Sequence, residues 1–382
     1  SPFNNRGYAK YHLEDYEGAI KDYNKAIQLD PNDAIVFYNR GLSKYNLTDF
    51  KGSIEDYSKA IELDPNDAEI FYNRGKSFYG LNKFKKAIKD FKKSIELNKN
   101  NFESYRYLGE INFELDNFNK SLSALNKAIK LNSEADYVFN LKGNTLLELK
   151  RYKEALEDAN KAIKLNSNNI NNFILRAKIN LNLFNFKKTI QDCKKAIKLD
   201  SDNFVAFYCK GLANLLCRKY EKALKDFNQA IKLSAKEYKQ SSEILSFKGY
   251  INFKLGNYKD SIIDCNRAIK TDKNADFAYY SRGLTKYYLK QYEDALSDIN
   301  KAIALDEDPD GDYYVLKGRA EYSLGNYKKA IFSFNKAEKY CEDNKKNMKY
   351  KLCDIYKDKT YLRFRGLSYK ALGKKELAIK DF

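Results

Sequence analysis

The chain has 382 residues, including 32 Tyr, 24 Phe, only 4 Pro and no Trp, and its formal net charge is +18. A hydrophobic share of 43% is enough to build a core, which excludes a disordered chain. No stretch approaches the roughly 18 consecutive apolar residues that span a bilayer, which excludes a transmembrane helix.

A glycine marks a repeating unit from the start of the chain. It recurs at Gly7, Gly41, Gly75, Gly109, Gly143, Gly211, Gly249, Gly283, Gly318 and Gly366, with Ala177 in the sixth place. The step is 34 residues as far as Gly211, and a small residue such as Ala19 follows each glycine by twelve positions. Small residues let two helices cross closely, so we predict that each repeating unit forms a hairpin of two helices, helix A and helix B.

Short polar segments separate the predicted helices. "LTDF" at 47–50 lies between helix A and helix B, and "LDPN" at 29–32 lies between two units. Extra residues fall near 234–242, near 306–311 and between 340 and 360. We therefore predict three divisions, which are seven units in register over 1–233, three more over 234–340, and an insertion with a truncated final unit over 341–382.

The period, the glycine, the small residues and aromatic residues such as Tyr16 and Tyr23 resemble the tetratricopeptide repeat family over essentially the whole chain. The resemblance implies an all-α fold, a right-handed superhelical solenoid of eleven antiparallel helix pairs. It also implies that the A helices line a concave groove and the B helices a convex side. Cys193, Cys265 and Ala159 depart from the family by replacing a helix B aromatic.

Reactive side chains are few. His12 is the only histidine, so a catalytic triad or a multi-histidine zinc site would depend on one residue. Residues 306–311 match the start of a calcium loop, but Lys317 stands where a bidentate glutamate is needed. We therefore expect no catalysis, no metal and no cofactor. The cysteines include no C-x-x-C pair, which favours a reducing, cytoplasmic compartment. The sequence begins at Ser1 without a methionine, which suggests that the natural N-terminus lies upstream.

A basic residue directly precedes most repeat glycines, and an aspartate follows that basic residue by sixteen positions, as in Arg40 and Asp56. The fourth repeat loses both together, with Leu108 and Ala124 in their places. Because the basic residue and the aspartate are present together and absent together, we predict a salt bridge between them that joins helix A to helix B. If it is exposed, this salt bridge stabilises the fold by at most about 1 kcal/mol. The alternative is an outward ladder of arginines that reads a ligand.

The resemblance also implies that the residue two places before the glycine faces the groove. Asparagines there could hold an extended peptide, because an amide both donates to and accepts from a peptide unit. The alternative is a set of solvated positions inherited by copying of similar repeats. The predicted groove residues are Asn5, Asn39, Asn73, Tyr38, Tyr72, Tyr107, Leu141, Leu175 and Phe247.

Pairs of basic residues three apart on helix B predict a basic ridge on the convex side from the fourth repeat onward. In the first three repeats, Gln or Glu takes one place of each pair. Such a ridge could dock an acidic surface of a partner. The alternative is that the ridge is only a solvated surface, enriched in basic residues by AT-rich coding. The ridge residues are Lys127, Lys130, Lys161, Lys164, Lys195, Lys198, Lys232, Arg267 and Lys270.

Two functions stay open. The first is a non-enzymatic scaffold that holds a segment of a protein or peptide partner in the groove. The partner could be acidic, and we expect no membrane partner. The second is a solenoid that binds RNA or another polyanion through the basic ridge. The family's carboxylate clamp for chaperone tails has no complete match, because the positions around Asn39, Asn73 and Arg106 lack their companions.

Overall fold

A computed structural model describes residues 1–234, 242–309, 311–343 and 360–382 of the chain. Within these ranges the backbone forms α-helices and no strand. The predicted insertions near 235–241 and 344–359, and Asp310 of the calcium-like loop, lie outside the described residues. No helix in the described ranges has the length and apolar character needed to cross a bilayer.

The chain folds into two compact units, Ser1–Ile179 (unit 1) and Asn180–Phe382 (unit 2). The boundary between them lies inside α11. Unit 1 contains α1 (Pro2–His12), α2 (Tyr16–Leu29), α3 (Ala34–Asn46), α4 (Phe50–Leu63), α5 (Ala68–Gly80), α6 (Phe84–Leu97), α7 (Phe102–Glu114), α8 (Phe118–Leu131), α9 (Asp136–Glu148), α10 (Tyr152–Leu165) and most of α11 (Ile170–Asn182). Unit 2 contains α12 (Phe186–Leu199), α13 (Phe204–Leu216), α14 (Tyr220–Ser234), α15 (Ser242–Lys254), α16 (Tyr258–Thr271), α17 (Asp276–Tyr288), α18 (Tyr292–Leu305), α19 (Gly311–Ser323), α20 (Tyr327–Asp343), α21 (Thr360–Ala371) and α22 (Lys375–Asp381).

Within each unit an odd-numbered helix A packs against the even-numbered helix B that follows it, from α1 to α10 in unit 1 and from α13 to α22 in unit 2, and consecutive hairpins of these series pack on one another. The all-α solenoid predicted from the repeat is confirmed, with 22 helices across the described residues. The predicted divisions at 233 and 340 describe the register of the repeats and stay predictions.

Side-chain caps and turns fix where the helices begin. The Asp33 carboxylate accepts a hydrogen bond from the amide of Ile35 at 3.0 Å and caps α3, and Asp49 caps α4 through the amide of Gly52 at 2.9 Å. Between these helices Thr48 adopts a φ of 61°, and ten equivalent turns in the described residues also have a positive φ. This residue reverses the chain, so helix B returns along helix A.

The repeat glycine is required because an aromatic ring of helix B packs directly on helix A. A Cβ at Gly41 would lie 2.7 Å from Cε1 of Tyr57, which is closer than real side chains pack. Cys193 and Cys265 occupy the corresponding helix B position and are fully buried, as expected of core residues. Burial raises the pKa of the Cys265 thiol to about 12, so this thiol is protonated at neutral pH.

The Tyr57 hydroxyl is buried and has no hydrogen-bond partner among the described residues, while Phe91 holds the same place in the next hairpin. We expect Tyr57→Phe to raise the free energy of unfolding by about 1 kcal/mol, because it removes an unsatisfied buried group. Tyr38→Phe is the matched control. It should lower stability, because the Tyr38 hydroxyl donates to Glu69 at 2.8 Å and accepts from Asn73 at 3.1 Å. Urea midpoints of both variants test this, and a lower midpoint for Tyr57→Phe would contradict it.

Candidate functional site

The basic residue before the repeat glycine forms an ion pair with the aspartate sixteen positions later. The predicted bridge from helix A to helix B is therefore confirmed. Its pairs are Arg6–Asp22, Arg40–Asp56, Arg74–Asp90, Lys142–Asp158, Lys210–Asp226, Lys248–Asp264, Arg282–Asp298 and Arg365–Asp381, with N to O distances of 2.5–3.4 Å. The side chains of these aspartates are at most 12% exposed, and that of Asp56 is only 4% exposed. The limit of about 1 kcal/mol for an exposed pair therefore does not apply here.

Several of these arginines also bind the preceding repeat, a contact that the sequence did not lead us to expect. Nη1 of Arg40 donates to Oδ1 of Asn24 at 2.7 Å, and Nη1 of Arg74 donates to Oγ of Ser58 at 3.1 Å. Arg176 and Arg282 make the same contact sixteen positions back, with Asn160 and Asn266. The only sequence signal was a short polar residue two places after the aspartate. These arginines thus join neighbouring hairpins and serve the fold.

The aspartate has a second partner on helix A, three places after the glycine, which sequence reasoning also missed. The ammonium of Lys44 lies 2.8 Å from Asp56, and the amide of Asn214 donates to Asp226 at 2.8 Å. In the tenth repeat the acid moves to this position, and the Ser333 hydroxyl donates to Glu321 at 2.7 Å. Burial raises the pKa of Glu321. In the tenth repeat an acid thus remains at this helix crossing although the aspartate is replaced.

The three groove asparagines do not share one environment. Asn5 is exposed, but Asn39 and Asn73 are 9% and 5% exposed. The Asn39 amide donates to Oδ1 of Asn4 at 3.3 Å, and the Asn73 amide donates to the Tyr38 hydroxyl at 3.1 Å. Asn39 and Asn73 are therefore buried instead of forming an open amide ladder toward the groove, because each closes a contact with the preceding A helix.

The later groove positions also divide between core and surface. Leu175 is 1% exposed and lies against Gly143, and Phe247 is 2% exposed and stacks on Phe227 with ring centroids 5.8 Å apart. These two residues are core residues, so their prediction as groove residues is wrong. Apolar side chains at this position turn into the contact between hairpins, where they leave water. Leu141 is half-buried against the core of its hairpin.

Tyr72 and Tyr107 come together on the A helices of unit 1, with ring centroids 6.1 Å apart. Lys76 of α5 lies between rings, with its ammonium 4.5 Å from the centroid of Tyr45 and 5.4 Å from that of Tyr72. The Arg106 guanidinium of α7 lies 3.8 Å from the Tyr107 centroid. All five side chains are partly exposed. We call Tyr45, Tyr72, Lys76, Arg106 and Tyr107 the tyrosine face.

The two cations of the tyrosine face differ in their partners. Arg106 donates to Glu103 at 2.7 Å and to Glu110 at 2.8 Å, so its charge is compensated. Lys76 forms no hydrogen bond or ion pair with any described residue. Burial lowers the pKa of the Lys76 ammonium, because the rings of the tyrosine face displace part of its hydration.

The same register is filled in α15 and α17 of unit 2. Tyr250 corresponds to Lys76 and is 3% exposed, with its ring 5.6 Å from that of Phe277. Tyr280 corresponds to Tyr72 and is 4% exposed, and it stacks on Tyr313 at 4.5 Å. Helix α15 packs against α17 as well as against its own hairpin partner α16. In α15 and α17, aromatic side chains therefore fill the positions that α5 leaves partly open.

The predicted ridge residues are exposed in both units. In unit 1, Lys59 and Lys93 of α4 and α6 pair with glutamates three places later at 2.9 Å. Lys130 on α8 and Lys164 on α10 are exposed and have no ion pair with a described residue. In unit 2, Arg267 lies 3.8 Å from Asp264, so this member of the ridge is partly compensated.

The calcium-like loop and the histidine show ordinary structural contacts. The Asp306 carboxylate accepts from the amide of Asp308 at 3.1 Å, as Asp30 does from Asn32 in the first such turn. The loop thus begins as the turn that links one hairpin to the next. His12 packs on the edge of Tyr8 with ring centroids 4.4 Å apart.

Comparisons with known proteins agree on the fold. The family profile described as TPR repeat matches residues 7–47 and 49–82, and profiles described as Tetratricopeptide repeat match 68–101, 137–169, 217–276 and 280–343. No curated protein matches the chain.

Solved structures are similar at low identity and show the fold alone. One is a chain of the APC/C hetero-tetramer Cut9-Hcn1, with 12% identity, a TM-score of 0.55, and coverage of 98% of this chain and 90% of that one. Another is a tetratricopeptide repeat protein from Parabacteroides merdae, with 19% identity, a TM-score of 0.52, and coverage of 69% and 98%.

Proposed function

We propose that this chain, which belongs to the tetratricopeptide repeat family, is a non-enzymatic scaffold that holds an extended segment of a protein partner on the tyrosine face of unit 1. Repeats of this kind build long surfaces rather than closed catalytic pockets. The proposal therefore concerns recognition of a segment by consecutive A helices.

One observation carries the proposal, which is the difference between α5 of unit 1 and α15 and α17 of unit 2. Lys76 and Tyr72 of unit 1 are partly exposed, whereas Tyr250 and Tyr280 at the same register of unit 2 are buried by neighbouring rings. The hydroxyls of Tyr45 and Tyr72 form no hydrogen bond with a described residue. Partly exposed tyrosines with free hydroxyls supply apolar area and hydrogen bonds together, as interface hot spots do.

The basic ridge supports a second candidate, binding of RNA or another polyanion. Lys130 and Lys164 of unit 1 and Lys198 of unit 2 are exposed and unpaired within the described residues, unlike Lys59 and Lys93. Unpaired lysines bind phosphates by releasing counterions, and such binding weakens steeply with salt.

Selection of random 15-residue peptides on the immobilised chain tests the scaffold. We expect enriched peptides to lose at least tenfold in affinity for a chain with Tyr45→Ala and Tyr72→Ala, because buried interface tyrosines carry much of the binding energy. Tyr45→Phe with Tyr72→Phe removes only the hydroxyls and should give a smaller loss. Circular dichroism of each variant checks that the helices are retained.

A chain with Lys130→Ala, Lys164→Ala and Lys198→Ala is the matched control, and it should bind the selected peptides like the parent. Peptides that depend on these lysines and ignore the tyrosines would contradict the scaffold on this face. If no peptide is enriched while a random 20-nucleotide RNA binds the parent and not the lysine variant, the polyanion function replaces it.

A further inference from the structure

Lys76 differs from the other cations around it. Lys44 on the preceding A helix pairs with Asp56 at 2.8 Å, and Arg106 on the following A helix binds two glutamates. Within the described residues Lys76 forms no hydrogen bond or ion pair, and its ammonium lies against the two aromatic rings, with Glu69 and Glu103 acting on it only through longer-range electrostatics. An ammonium group has three donors, and a ring face accepts its charge without replacing a full hydrogen bond. Lys76 thus presents unused donors on a partly exposed face.

The chemistry around Lys76 favours a carboxylate as the missing partner. A charge-assisted hydrogen bond from an ammonium to a carboxylate is stronger than one to a neutral group. The free hydroxyls of Tyr45 and Tyr72 supply further donors beside it. Burial already lowers the Lys76 pKa, and an anion at this place would offset the lost hydration of the ammonium.

The surrounding charges limit the ligand to a single negative charge. Glu69, Glu103 and Arg106 all act on Lys76 electrostatically, and Arg106 is already bound to Glu103 and Glu110. A dianion or a run of acidic residues would be repelled by these glutamates and would find only one cation without an ion pair among the described residues of the tyrosine face. An isolated acidic side chain in an otherwise uncharged segment meets neither obstacle.

We propose that the Lys76 ammonium, held between the rings of Tyr45 and Tyr72, is a subsite for one aspartate or glutamate side chain within an extended partner segment. This inference rests on the proposed scaffold function and names the side chain that the tyrosine face selects. Because the subsite takes an internal side chain, binding does not require the carboxyl end of the partner.

Matched peptides test the subsite. Peptides selected on the tyrosine face are made with each acidic residue as Glu or as Gln, and with an amidated C-terminus. At one position of the peptide, we expect Glu→Gln to weaken binding to the parent protein at least fivefold. The same peptide change should weaken binding to the Lys76→Met protein less than twofold. Lys86→Met is the control, because Lys86 is exposed and lies 5.6 Å from the Phe78 ring centroid. It should keep the parent's preference for Glu.

A second measurement separates failure of the subsite from failure of the scaffold. In protein with ¹³Cε-labelled lysine, sodium acetate should give a saturable shift of the Lys76 signal, assigned by its absence in Lys76→Met, and no such shift at Lys86. This result supports the subsite even if no peptide is selected. Peptides that bind the tyrosine face equally as Glu and Gln overturn the subsite and leave the scaffold standing.

Three further results would also overturn the subsite. They are a Lys76 signal that does not respond to acetate, saturation by inorganic phosphate at lower concentration than by acetate, and loss of peptide binding on amidation of the C-terminus.

Discussion

Replacing Asp56 by alanine should lower the free energy of unfolding around α3 and α4 by about 3 kcal/mol, because removing one partner of a buried ion pair strands the other. The Asp56 carboxylate accepts from Nε of Arg40 at 2.9 Å and lies 2.8 Å from the Lys44 ammonium. Both cations are less than a quarter exposed, so in the variant they would face each other without a counter-charge. Native-state hydrogen exchange of the amides in α3 and α4 should accelerate about a hundredfold.

Glu62→Ala on the same helix is the control for Asp56→Ala. Glu62 pairs with Lys59 at 2.9 Å in an exposed ion pair, and its loss should cost no more than about 0.5 kcal/mol. In a double-mutant cycle, Arg40→Ala and Asp56→Ala should couple by more than about 1 kcal/mol. Equal exchange in Asp56→Ala and Glu62→Ala would show that the pair does not hold the hairpin.

Phe247→Ala should destabilise unit 2 by about 4 kcal/mol, because it empties the volume of a buried ring. Phe247 is 2% exposed, and its ring lies 5.8 Å from Phe227 and 5.5 Å from Phe277. The loss should appear as faster hydrogen exchange in α15 and α17 and as a lower urea midpoint. A groove residue would instead leave stability unchanged and weaken only a bound segment.

Phe332→Ala provides the same chemical change at an exposed site of unit 2. Phe332 is 62% exposed, so this variant should stay within about 0.5 kcal/mol of the parent. If Phe247→Ala exchanges no faster in α15 and α17 than Phe332→Ala does, Phe247 does not belong to the core.

The sequence predicted contacts whose two members lie at a fixed spacing. Arg40 and Asp56 are sixteen residues apart within one hairpin, and the hairpin geometry fixes their approach. The cysteines that replace core aromatics could be placed for the same reason, since helix B repeats its buried face without change.

The candidate site was harder to predict because it depends on the angle between neighbouring A helices. The partner of Asn73 is Tyr38, which lies 35 residues away in the preceding repeat. The position of Phe247 resembles that of Tyr107 in sequence, yet close packing of α15 on α17 buries it. Among the described residues Lys76 has no ion pair, because the side chains of the nearby glutamates are directed toward other partners. Residue spacing does not predict the direction of those side chains.

The recurrence of the same contacts every 34 residues also bears on how the gene can change length. Joining Arg40 directly to Gly75 would delete one repeat and place Arg40 sixteen positions before Asp90, the spacing that it now has to Asp56. Its hydrogen bond to Asn24 in the preceding hairpin would be untouched. Unequal recombination between the segments that encode such similar repeats would therefore yield shorter or longer chains whose ion pairs remain in register, and selection could act on array length without first repairing the fold.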